Sequence, residues 1–123
     1  MERLNIIIAS RDSNVVSRLA QSLNRHFRSI AVARSVDEVR HGIPKHRAQI
    51  AIVDLETASI QQVRELCSEF SHTQVVCTHR IPDEEMWANS LAAGAIDCCH
   101  NEDAAAIIDA VRRNSLLARS SAA

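Results

Sequence analysis

The chain is predicted to fold as one α/β domain, a doubly wound (βα)5 sandwich around a five-stranded parallel sheet of order 2-1-3-4-5. Two observations carry this. Short apolar runs recur at even intervals, at residues 4–9, 29–33, 49–54, 74–78 and 95–99. Each reads as continuously apolar rather than alternating, as expected of parallel strands buried on both faces. Between the runs lie segments with helical spacing. Right-handed crossovers on such an alternation give a doubly wound sheet, whose ligands bind at the carboxyl ends of the strands near the switch between strands 1 and 3.

The helical segments follow in order. Val15, Leu19, Leu23 and Phe27 recur every four residues, and Ile60, Val63, Leu66 and Phe70 at three, three and four. Ala104, Ile107, Ile108 and Val111 form a last stripe. Ser35-Val36-Asp37-Glu38 reads as a capping box that opens a short helix, with Gly42 and Pro44 stopping it. Pro82 before Asp83, Glu84 and Glu85 suits another helix start, with acids at the positive end of the dipole. Gly94 stands where that helix needs a left-handed cap. The domain is taken as residues 1–123, with 116–123 as the end of the last helix and a frayed tail.

Composition narrows the function classes. Apolar content of 46% and charged content of 24% are those of an ordinary globular domain. The net charge of −1 and the lack of a basic stripe along the sequence argue against direct nucleic-acid binding. Neither a signal-peptide pattern nor an apolar run of ~20 residues is seen, so no membrane contact is expected and the protein reads as cytoplasmic. With only Gly42 and Gly94, a Walker loop or a G-x-G-x-x-G turn is impossible. Cys67, Cys77, Cys98 and Cys99 do not make a disulfide framework.

Three strand-end segments resemble the receiver domains of bacterial response regulators, the CheY-like superfamily with its flavodoxin-like fold, over about residues 3–115. Ile50-Ala51-Ile52-Val53-Asp54 resembles the apolar strand that ends in the phosphoacceptor aspartate. Val75-Val76-Cys77-Thr78 resembles the strand that ends in the family's hydroxyl residue. Leu91-Ala92-Ala93-Gly94-Ala95-Ile96-Asp97 is similar to the helix-turn-strand passage into the fifth strand. The resemblance implies a two-component (phosphorelay) signalling domain, not an enzyme, that meets a histidine kinase and an output protein or domain. It makes Asp54 the phosphoacceptor candidate, with Thr78 contacting the phosphoryl group.

The family pattern is broken at three places. The acidic pair that helps hold Mg²⁺ aligns with Ser10-Arg11, and carboxylates are the usual recruiters of that hard cation. The lysine position falls on Asn101, and the one lysine, Lys45, precedes the third strand at the opposite edge of the sheet. The aromatic switch position aligns with Cys98. No cofactor is therefore expected. An improvised Mg²⁺ site from Asp12, Asp54 and Glu56 is the weaker alternative, Glu56 standing at the position whose backbone carbonyl the family offers to the metal.

Each of these residues also has a structural reading. Arg11 is expected to pair with Asp54 across adjacent strands, replacing the metal's charge without its reactivity. Thr78 reads equally as a strand-end hydroxyl bonding local backbone. Asn101 is expected mainly to cap the last helix. Cys77, Cys98 and Cys99, near His79 and His100, suggest a thiol or metal sensor. Adjacent residues of a strand face opposite ways, however, and buried apolar thiols are favoured. On the last helix Ala106, Ala110 and Leu117, flanked by Arg112 and Arg113, form a candidate homodimer face, or an ordinary helix surface. The favoured reading is a degenerate receiver, a pseudo-receiver that acts by protein contact. The alternatives are a conventional phosphoacceptor and a thiol or metal sensor.

Overall fold

A computed structural model describes residues 4–122, with side chains described for residues 4–114. Strands and helices alternate: β1 (Asn5–Ala9), α1 (Ser13–Leu23), β2 (Ser29–Ala33), α2 (Val36–His46), β3 (Ile50–Asp54), α3 (Ile60–Glu69), β4 (Gln74–His79), α4 (Glu84–Ala93), β5 (Asp97–His100) and α5 (Ala104–Ala122). All strands are parallel, in the order β2-β1-β3-β4-β5. The expected tail of residues 116–123 lies outside the residues with described side chains.

The sheet separates two apolar layers. Ile7, Val39, Ala51, Val53, Val63, Leu66 and Cys77 fill one side under α2, α3 and α4. Ile6, Ile8, Leu19, Leu23, Ile52, Val76, Cys99 and Ile107 fill the other under α1 and α5. Residues of β1, β3 and β4 thus alternate between layers that are both apolar, which is why these strands read as unbroken runs. The edges differ. In β2 Val32 is 51% exposed. In β5 only Cys99 is buried, and the strand starts at Asp97 rather than at Ala95. The Ala95 N–H is already donated to Ser90 O, closing α4 beside the left-handed Gly94 (φ 110°).

Two helix ends correct the sequence reading. Ser35 Oγ accepts from Glu38 N–H as expected, but the Glu38 carboxylate reaches the Arg34 N–H instead of the capping residue's own. The complete reciprocal box is at α3, between Ser59 and Gln62. Helix α2 does not stop at Gly42 or Pro44; it runs through both and ends at Arg47, which adopts a left-handed φ of 52°. Its apolar stripe of Val36, Val39 and Ile43 continues onto the sheet, and this packing outweighs the one backbone bond that Pro44 forfeits. Gly42 serves close approach: a Cβ there would stand 2.5 Å from Ile7 Cδ1.

Candidate functional site

Among the described residues six polar or charged side chains are buried: Ser10, Asp54, Thr57, Thr78, Ser90 and Asn101. All except Ser90 lie where β1, β3, β4 and β5 end. A fold hides polar groups only where they are bonded or used, so this edge is the candidate site.

Asp54 ends β3, opposite Thr78 of β4 in the ladder. Its carboxylate is spoken for on both sides: Oδ2 accepts from Ser10 Oγ at 2.8 Å, and Oδ1 accepts from the Glu56 N–H at 2.9 Å. The second bond is an Asx turn. Its carbonyl also accepts from the N–H groups of Thr57 and Ala58, winding the loop tightly around it. Ser10 Oγ in turn accepts from the Asp12 N–H at 3.1 Å. Thr57, which the sequence reading passed over, accepts from the Arg11 N–H at 3.1 Å. The β1–α1 and β3–α3 loops are therefore stitched together around Asp54.

The expected Arg11–Asp54 ion pair is not formed. Ser10 takes the inward position, so the next side chain, Arg11, turns to solvent and only its backbone serves the site. The cation present instead is Arg80, just past β4. Its Nε donates to Glu56 Oε1 at 2.6 Å. Its pKa is raised chiefly by that hydrogen bond and the Glu56 charge, with smaller contributions from Asp54 and Asp12. Arg80 carries no sequence signal, because the β4–α4 loop brings it back over β3 only in three dimensions. His79 Nε2 lies 3.4 Å from the same Glu56 oxygen.

Mg²⁺ does not fit this donor set. Asp12 is the N-cap of α1, Oδ1 accepting from the Asn14 and Val15 N–H groups at 2.9 and 3.3 Å. Glu56 is engaged by Arg80, and a hydroxyl occupies the inward place beside Asp54. Among the described residues no three His, Cys, Asp or Glu side chains, Asp12, Asp54 and Glu56 included, converge as metal ligands. Asn101 is buried but is not the cap of α5. Asp103 is, accepting from the Ala106 N–H at 3.0 Å, because the helix starts later than expected, at Ala104. The Asn101 N–H reaches His79 O instead. Thr78 Oγ1 makes no hydrogen bond among the described residues, and its carbonyl accepts from the Leu55 N–H at 2.8 Å.

No protein-family model and no curated protein sequence matches the chain. Solved structures do. The isolated receiver (REC) domain of RcsB from Salmonella enterica serovar Typhimurium, in the presence of phosphomimetic BeF3⁻, is 14% identical with a TM-score of 0.79, over 91% of this chain and 90% of that one. The Salmonella typhimurium RcsB response regulator is 15% identical with a TM-score of 0.81, and the match covers 93% of this chain but 62% of that one. A Burkholderia pseudomallei response regulator with a phosphorylated aspartic acid is 15% identical with a TM-score of 0.78, over 99% of this chain and 74% of that one. The chain has the receiver fold.

Cys98, which the sequence resemblance aligns with the aromatic switch position, is half-buried and sits directly across from Cys77 of β4. Both thiols neighbour Ser90, whose Oγ is buried without a conventional partner among the described residues. Cys99 falls in the opposite layer, as strand alternation requires. Burial pushes the thiols of Cys77 and Cys99 up to about 12. Thiols so placed pack as small apolar groups. Because the folded state holds these protons more tightly than the unfolded chain, their contribution is complete below pH ~9 and is lost as pH rises through 9 towards 12. The chain has no tyrosine to obscure this. The urea midpoint is expected to fall steadily above pH 9, and less steeply in Cys77→Val; equal slopes would refute the assignment.

The proposed dimer face is also revised. Ala110 is fully buried, because it stands three residues from Ile107 on the same inward stripe. Ala106 is half-buried, and Leu117 lies outside the residues with described side chains. Arg113 reaches Asp97 at 3.4 Å and Asp109 at 3.0 Å. Trp87, half-exposed on α4, donates Nε1–H to the other Asp97 oxygen at 3.2 Å. Among the described residues no helix is long and apolar enough to cross a membrane.

Proposed function

We propose that this domain is a receiver-like signalling module that works by contact with a protein partner, a histidine kinase or an output protein, without the Mg²⁺-dependent phosphoaspartate cycle. The observation that carries this is the Ser10–Asp54 hydrogen bond of 2.8 Å. In phosphoryl transfer the protein's task is positioning and charge neutralisation around the attacking oxygen. Here a hydroxyl and a backbone N–H occupy both carboxylate oxygens, and neither donor brings a positive charge. Arg80, the nearby cation, is already paired with Glu56. The domain then presents one conformation, fixed by sequence, to whatever reads it. A homodimer through α5, the further partner consistent with this reading, would have to use its outer side around Arg113 rather than Ala110.

The test is intact mass after incubation with a small phosphodonor and Mg²⁺, with Asp54→Asn alongside. The expected result is an unchanged mass under conditions that label an ordinary receiver. A gain of one phosphate, lost in Asp54→Asn, would establish a conventional phosphoacceptor instead.

A further inference from the structure

The basic residues, which form no stripe along the sequence, gather in the fold on the edge opposite β5. Residues 25–47 carry six Lys or Arg and two Asp or Glu, a net of +4 in a chain whose net charge is −1. The remaining residues therefore carry −5. Arg25 and Arg28 lead into β2, Arg34 follows it, and Lys45 and Arg47 close α2 at the end of the sheet where β2 begins. All five are exposed, and none joins an ion pair among the described residues. The two acids are occupied within the fold: Glu38 accepts from the Arg34 N–H, and Asp37 lies 3.7 Å from Arg40. Arg40 is itself spent on Glu65 and Glu69 of α3.

Between these cations runs an unprotected strand edge. β2 is outermost and pairs only with β1. Its sequence, Ser29-Ile30-Ala31-Val32-Ala33, has no proline, charge or bulge-forming glycine, the usual devices that blunt an edge. Val32 stands exposed on it. Beside it a groove of about 340 Å³ is lined by Val32, His41, Lys45 and His46, with Asp37 and Glu38 at one end. An open edge offers main-chain hydrogen bonds to an added strand, a pocket selects its side chains, and the surrounding charge selects its sign.

We infer that the outer edge of β2 is a docking edge for an extended acidic segment of a partner protein, which adds to the sheet as a sixth strand. A second copy of this chain is disfavoured, because edge-to-edge pairing would bring the same cations face to face. Nucleic acid would use the charge but not the strand edge or Val32. The inference is independent of the Asp54 site, and its test uses no phosphodonor.

The probe is a synthetic peptide of alternating valine and glutamate, titrated into the intact domain while backbone amide shifts and exchange rates are followed. The expected result is protection confined to β2 amides between Ser29 and Ala33, with affinity that falls as salt is added. In the surface variant Arg28→Glu/Arg34→Glu the affinity should drop by about tenfold while the melting temperature holds. A valine–lysine peptide should not bind. Equal binding of that peptide, protection located elsewhere, or no binding at millimolar concentration would each overturn the inference. So would a single-stranded oligonucleotide that displaces the acidic peptide while leaving the β2 amides unprotected when it binds alone, which would mark a phosphate-binding surface.

Discussion

Ser10→Asp is expected to make the stability of the domain depend on Mg²⁺. Ser10 is 2% exposed and its hydroxyl donates to an Asp54 carboxylate that is itself 4% exposed. An aspartate there exchanges a donor for a second anion at hydrogen-bond range in a site with little water. Two carboxylates so placed cannot both ionise cheaply, and the cost is on the order of 3 kcal/mol. A divalent cation relieves that repulsion, and binding to the folded form alone recovers about 1.4 kcal/mol for a tenfold excess over its dissociation constant. Melting with and without millimolar Mg²⁺ should thus separate the variant from the parent, which should not respond. Ser10→Ala supplies the contrast: it loses two hydrogen bonds, the one given to Asp54 and the one accepted from the Asp12 N–H, about 2 kcal/mol, and gains no Mg²⁺ response. If Ser10→Asp melts identically in Mg²⁺ and in chelator, the strand-end geometry is not one substitution from a metal site.

Gly94→Ala should be the most damaging small substitution in the chain. Gly94 ends α4 at φ 110°, where a side chain is strained whatever room it has. A Cβ would in addition stand 2.9 Å from Cys67 Cβ and 3.2 Å from its sulfur. Backbone strain and overpacking together should cost about 3 kcal/mol, a fall in urea midpoint on the order of 1–2 M. Gly42→Ala meets a nearer atom, Ile7 Cδ1 at 2.5 Å, but that atom is the end of a side chain that can turn. Its backbone is helical, where alanine gains about 1 kcal/mol over glycine. Its net loss should be clearly smaller. Urea unfolding of the two variants tests the ranking, and a reversed order would show that steric contact rather than backbone conformation governs these glycines.

The strands β1, β3 and β4 were legible because both of their faces are buried, so position alone dictates apolar residues. β5 was misplaced by two residues because Ala95 and Ile96, apolar and next to the strand, are used by the α4 cap and its exit. Pro44 misled for a different reason: the sequence shows the missing donor at residue 44 but not the packing of Val39 and Ile43 that holds the helix together past it. In the site, Asp54, Thr78 and Ser10 lie at strand ends and could be placed from the run lengths. Which of two adjacent residues turns inward could not, and it is Ser10 rather than Arg11 that meets Asp54. Arg80 and Thr57 act through loops, and no local pattern signals where a loop residue returns. Ala110 faces inward because it stands three residues from Ile107, a spacing the sequence itself displays.

Trp87 gives the molecule a built-in optical reporter. With no tyrosine in the chain and one tryptophan, emission excited at the red edge of the near-ultraviolet band comes from a single indole. That indole is hydrogen-bonded to Asp97 where α4 meets β5, at the far side of the sheet from β2. A ligand seated at β2 cannot touch it. Any change in its intensity or anisotropy beyond that of slower tumbling would therefore mean that occupancy of one edge has been transmitted across five strands to the other.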